Sequence, residues 1–156
     1  MLTMTDRTLW HTEDFDLLSW HDVHIHGLRF ASFNESDGTA ELVLDIDYIL
    51  EWVHEGNAFV FTVCAAELTF HDTFNLRLEL DYKMCSAGMC PFMIYDIHRE
   101  PLVFSTGYQS FRWSIPIHWP QGLIEFEAPA FTLQLVGTPA ERVGQCLTSE
   151  QRVRSS

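Results

Sequence analysis

Residues 20–52, WHDVHIHGLRFASFNESDGTAELVLDIDYILEW, hold the plainest strand pattern in the chain and its densest group of ionisable side chains. In the second half of this stretch Leu42, Leu44, Ile46, Tyr48, Leu50 and Trp52 alternate without a break, and Glu41, Asp45, Asp47 and Glu51 fall between them. Successive side chains of a strand point to opposite faces, so the pattern is one apolar face and one acidic face. A helix would scatter the same positions around its cylinder.

The first half changes phase. Val23 and Ile25 are odd-numbered apolar positions, Leu28 and Phe30 are even, and Gly27 stands at the change. A bulge at Gly27 keeps both pairs on the core side. Asn34, Glu35, Ser36, Asp37 and Gly38 make a connection rich in turn formers. The resulting hairpin sets Ile25 near Ile46 and Val23 near Tyr48 on the core face, and gathers Asp22, His24, His26, Asp45 and Asp47 on the opposite face. A slip of one residue would turn the apolar stripe into water, so hydrophobicity specifies the register.

That polar group carries the chemistry of the sequence. Imidazoles on alternate residues can share a divalent metal, with a carboxylate of the neighbouring strand as a further ligand and an open position left to activate water. The HxH spacing is similar to that of cupins, without the glutamate and glycines that follow it there. The outer face of an antiparallel sheet also carries such residues simply because it is solvated, cross-strand pairs contributing about 0.2–1 kcal/mol each. Metal-free acid/base chemistry is the third reading. No glycine-rich phosphate loop, nucleophile elbow or HExxH motif is present. His21 and His71 are read as turn residues.

The chain of 156 residues fits a single domain over 1–156. Its 47% hydrophobic content, with 12 Phe, 5 Trp and 4 Tyr, describes a globular protein with an aromatic core. Twenty-two acidic against 9 basic residues give a formal charge of −13. This argues against nucleic acid and anionic membranes as partners and suits a basic protein, although acidity also serves solubility. No apolar run has the length of a signal peptide core or a membrane helix, so a cytoplasmic location is expected. Cys64, Cys85, Cys90 and Cys146 show no CxxC spacing and are expected to stay reduced.

Outside the hairpin, residues 1–18 read as a lid in which Trp10, Phe15, Leu17 and Leu18 cover one end of the sheet, with a short helix over 13–18 capped by Thr12. Alternation resumes at Phe59, Phe61 and Val63 and changes phase across Ala65 and Ala66, which predicts a second bulge or a bend before Leu68 and Phe70. A turn is expected over 71–75 and a strand from Leu76 to Lys83. A loop follows over 84–91, then a strand over 92–98 that Arg99, Glu100 and Pro101 break. A strand over 108–117 leads to a turn at 120–122, and Ile124–Ala128 and Phe131–Leu135 are strands parted by Pro129. Pro116 lacks the N–H a ladder needs and points to an edge or a bulge. A short helix over 139–147 and a frayed tail over 148–156 end the chain. The fold predicted is mainly β, an antiparallel β-sandwich or open β-barrel of about 7–9 strands with one or two short helices. LSWHD at 18–22 and LTFHD at 68–72 share a pattern, either a duplication or a coincidence.

The segments WHDVHIHG, LDIDYILEW, ELTFHD and IPIHWPQGLIEFEAPAF together resemble a family of small bacterial proteins of unassigned function, over most of residues 18–150. The strand alternation, with one HD pair at its start and another beside Phe70, is also similar to that of immunity proteins of bacterial toxin systems. Neither resemblance assigns a catalytic residue or a cofactor. The function expected is a non-enzymatic protein-binding module for a basic partner. The alternatives are a metal-dependent enzyme built on the His/Asp group and a small-ligand-binding barrel.

Overall fold

The computed structural model describes residues 6–83, 91–142 and 144–152. Its strands are β1 (Leu9–His11), β2 (His24–Asn34), β3 (Thr39–Glu55), β4 (Ala58–Leu80), β5 (Phe92–Ile94), β6 (His98–Val103), β7 (Gln109–Trp119), β8 (Gly122–Ala128), β9 (Ala130–Leu135) and β10 (Ala140–Arg142). Two short 3-10 helices, Thr12–Leu17 and Glu150–Arg152, are the helical content of the described residues. The protein is thus mainly β, as expected. Three-residue strands, too short to leave a period in the sequence, raise the count to ten.

Every pairing is antiparallel, and the path closes on itself: β4 pairs β3, β3 pairs β2, β2 pairs β5, β5 pairs β7, β7 pairs β8, and β8 returns to β4. This is a barrel whose thinnest seam is β5. β6 extends it beyond β7, while β9 and β10 lie along β4 and β1 pairs the far side of β9.

The predicted hairpin has the predicted register. Ile25 faces Ile46 and His24 faces Asp47, and Val23, Ile25, Ile46 and Tyr48 all lie in the main core. The bulge falls between Ile25 and Gly27, so the extra residue is His26. At the turn, Asn34 O accepts from Gly38 N at 2.9 Å, Asn34 Oδ1 accepts from Ser36 and Asp37 N, and Gly38 takes φ 68°. Only a residue without Cβ reaches that conformation freely.

Strand β4 departs from the reading of residues 59–83. Its register with β3 runs unbroken from Val43 opposite Thr69 to Ile49 opposite Val63, so there is no bulge at Ala65 and Ala66. The change of phase is a change of which face is apolar. Cys64, Ala66, Leu68 and Phe70 point into the barrel, Phe61, Val63 and Ala65 point outward, and all seven are buried. The turn expected over 71–75 is a bend within one strand, with Asp72 and Asn75 at φ 51° and 53°. At this bend β4 exchanges β9 for β8 as its partner, opposite Pro129.

Arg99, Glu100 and Pro101 do not break a strand but belong to β6, which tolerates proline because among the described residues it pairs only with β7. The helix expected over 139–147 contains β10 instead, held by the edge of β4. The early helix begins at Thr12, where the Asp14 carboxylate accepts His11 N at 2.9 Å. The two HD segments occupy different elements, a loop and β4, yet Asp22 and Asp72 both take positive φ, 66° and 51°. The loop expected over 84–91, with Cys85 and Cys90, lies outside the described residues except at Pro91. Cys64 and Cys146 form no disulfide among the described residues.

The barrel interior is filled by side chains. Phe70 meets Phe126 at 4.6 Å and Trp113 at 5.0 Å between ring centroids, and Phe131, Ile115, Leu44 and Leu68 complete the packing. Phe15 stops one end against Trp20, Trp113 and Phe131, and the Arg99 guanidinium lies 4.5 Å from both Phe15 and Phe111. Trp10 lies in the core and Phe15 and Leu18 pack against it, whereas Leu17 is turned outward. No helix among the described residues is long and apolar enough to cross a membrane.

Of the described glycines, Gly122 has the least room for a side chain; it is paired on one side to Leu80 and on the other to Ile117. A Cβ there would lie 2.2 Å from Glu79 O. Gly122→Ala forces β4 and β8 apart and is expected to lower stability by about 2 kcal/mol, read as a fall in the urea midpoint at unchanged slope. An unchanged midpoint would show that the two strands yield freely.

Candidate functional site

The five residues of the predicted polar face do not meet at one point; four of them meet the same partner. The end of the chain crosses the outer face of β2 and β3. Gln145 Nε2 donates to Asp22 Oδ2 at 3.0 Å, Cys146 Sγ lies 3.9 Å from His26 Nε2, and Leu147 N donates to Asp47 Oδ2 at 2.8 Å. Arg152 divides its guanidinium between Asp45 and Asp47 and donates to Ile46 O at 3.3 Å. Residues 148–152, expected to fray, are therefore anchored; residues 153–156 lie outside the described residues.

The cover exists because the outer face is not uniformly polar. Phe61, Val63 and Ala65 of β4, with Ile49 of β3 at their side, need shielding from water, and Leu147, Val136 and Ala140 supply it. The price of that cover is Asp47, which is 0% exposed. A buried carboxylate requires a countercharge and hydrogen bonds. Arg152, itself 14% exposed at its side chain, supplies the charge, and His26 Nε2 at 2.7 Å joins Leu147 N on Oδ2. The reading of this face as solvated fails at Asp47.

Burial is the largest influence on His26 and holds its pKa down to about 4, with the Arg152 charge acting in the same direction and Asp45 opposing. The attraction of Asp47, which alone would favour imidazolium, is already met by Arg152. A neutral ring facing a carboxylate must carry its proton on Nε2, because the carboxylate can only accept. His24 is also lowered, first by burial and then by His26, and its Nδ1 is buried without a hydrogen-bond partner.

His26, Asp47 and Cys146 offer ligand atoms that all lie within 4.8 Å of one another. Although the residue types match a Cys-His-Asp relay, the geometry does not: the carboxylate and the thiol approach the same nitrogen, Nε2, where a relay needs one partner on each ring nitrogen. His24, Asp22 and Asp45, the other residues of the predicted metal set, fall outside the group. Cys146 was missed because it is 120 residues from His26 in a segment with no strand period. His71 serves structure from within β4, with Nδ1 2.9 Å from Glu41 and Nε2 3.2 Å from Thr132. His21 Nδ1 lies 3.1 Å from Asp22.

A second feature stands where β2 ends its pairing. Beyond Asp47 the edge of β3 has no partner strand on that side among the described residues, and a pocket of about 240 Å³ opens there between residues 48–52 and 17–22. Leu17, Tyr48, Leu50, Trp52 and Phe61 make its apolar wall, with Asp22, Glu51, His21 and Gln145 among its polar lining. Trp52 was expected to continue the inward stripe. A bulge between Ile49 and Glu51 moves it to the outer face opposite Phe61, where it is 67% exposed. Trp52, Phe59 and Phe61 stack at 5.7–6.5 Å along the projecting β3–β4 hairpin, and His54 lies 4.9 Å from Phe59.

Comparison of the chain with protein-family models, with curated proteins and with solved structures finds no match. Two outcomes follow from the buried ion pair. Arg152→Ala leaves Asp47 uncompensated and is expected to cost about 3 kcal/mol, and adding Asp47→Asn should restore part of the loss, in urea unfolding at neutral pH. Equal destabilisation of the single and double variants would show that Arg152 acts only through packing.

The pH dependence has a definite sign. The unfolded chain protonates His26 near pH 6.5 and the folded chain only near 4, so this contribution is present above about 6.5 and is lost as pH falls towards 4. His26→Gln, which keeps a donor for Asp47, should show a shallower loss across that window when urea midpoints are compared. A parallel decline of both proteins would assign the effect to other groups.

Proposed function

We propose that the protein is a non-enzymatic module that binds a basic partner protein through the aromatic hairpin and the pocket at its base. The observation that carries this reading is the pair of exposed rings, Trp52 and Phe59, stacked beside the buried Phe61. A water-facing cluster of large rings is costly to maintain, and buried aromatic anchors of this kind dominate binding energies at protein interfaces. The unpartnered edge of β3 beside it offers backbone groups for an added strand. Charge selects the partner: Glu51 and Asp22 line the pocket, Glu55 follows on the arm, no Lys or Arg lines the pocket, and the whole chain carries −13. A segment with Lys or Arg next to an aromatic or aliphatic residue fits both features.

The packed interior gives no support to a small-ligand barrel. The shared nitrogen of His26 gives none to nucleophilic catalysis. The bacterial and cytoplasmic setting, and the likeness to immunity proteins, are in keeping with a neutralising role and are part of the proposal.

The test is selection from a random-peptide display library on the native protein. Enriched peptides should pair basic with apolar residues, bind more weakly as salt rises, and lose at least tenfold in affinity on Trp52→Ala in a calorimetric titration. The exposed Trp52 can be removed without disturbing the core. Enriched peptides that are not basic, or that bind Trp52→Ala as well as the native chain, would overturn the proposal, as would a failure to enrich above an unrelated acidic protein.

A further inference from the structure

We infer that His26 Nε2, the Asp47 carboxylate and Cys146 Sγ form a site for a divalent transition metal of the zinc type, which pins the end of the chain to the barrel. The three ligands come from three places: β2, β3 and the covering segment. They stand near coordination spacing before any ion enters. Zinc bonds of about 2.0–2.3 Å set tetrahedral ligands roughly 3.3–3.7 Å apart, and here His26 Nε2 is 2.7 Å from Asp47 and 3.9 Å from Cys146. Small movements about these values bring all three to one centre.

Charge favours the same ion. Asp45 and Asp47 against Arg152 leave the group with one uncompensated negative charge, and Asp47 is fully buried. Entry of a divalent cation with loss of the Cys146 thiol proton to solvent brings the group to neutrality while Arg152 keeps its place. The His26 proton passes from Nε2 to Nδ1, freeing the Nε2 lone pair for the metal. Bonds from nitrogen, oxygen and sulfur form, one proton leaves, and no redox change occurs. A thiolate with an imidazole selects zinc or cobalt over magnesium or calcium. The His26 side chain is 20% exposed, so the site is reached from solvent and a fourth position is left for water or a ligand. The bulge at His26 makes this possible, since it places an extra side chain beside Asp47 where regular pairing gives only His24.

The inference does not rest on the binding proposal. Its test uses the native chain with Zn²⁺ or Co²⁺ as the probe, and reads alkylation of each cysteine by peptide mass spectrometry. Zn²⁺ should slow alkylation of Cys146 at least tenfold and leave the buried Cys64 as it was. His26→Gln, whose fold is checked by circular dichroism, should abolish that protection. Co²⁺ should give a thiolate charge-transfer band that Cys146→Ser removes. Alkylation of Cys146 at the same rate with and without Zn²⁺, protection that persists in His26→Gln, or a cobalt band that survives Cys146→Ser would each overturn the site.

Discussion

Strand β4 must keep water from both of its faces between Phe61 and Ala66, and the rest of the structure answers that requirement. Inward, Cys64, Ala66, Leu68 and Phe70 join a core of rings and branched side chains. Outward, Phe61, Val63 and Ala65 need a second layer. A strand buried on both sides is usual in sheets sandwiched by helices. Here, with almost no helix, the barrel supplies one side and a short irregular segment from the end of the chain supplies the other.

That segment crosses the acidic face of β3, and its apolar contacts bury a carboxylate on the way. Asp47 is held by Arg152, Leu147 and His26 together, so electrostatics and packing support each other. Replacing such a group by apolar residues is often neutral for stability. Through Asp47, Arg152 and the Leu147 amide tie the covering segment to β3.

The cover ends before β3 and β4 do. Past the shielded Phe61 the same outward row continues to Phe59 and Trp52, now without shielding. One physical feature therefore yields two different surfaces: a sealed polar seat where the chain folds back on itself, and an open aromatic arm where it does not. The partner recognition proposed above would repeat the arrangement within the chain, an external segment laid over apolar positions of β4.

The amino-acid sequence by itself determined the β class, the register of β2 and β3, the bulge near Gly27 and the side of the sheet on which His24, His26, Asp45 and Asp47 lie. These are local consequences of period-two hydrophobicity and of turn chemistry at Asn34 to Gly38. It also contains a two-sided signal: most of residues 59–68 are apolar at both parities, the mark of a strand covered on both faces, where the change of phase points to a bulge or bend. Only the tertiary structure decided what covers that outer face. Arg152 lies more than one hundred residues from Asp45 and Asp47 in sequence, and neither a period nor a spacing relates them. The same holds for Trp52, which a single extra residue at Leu50 turns from core to surface: alternation describes a strand alone, whereas a bulge is a relation between two strands.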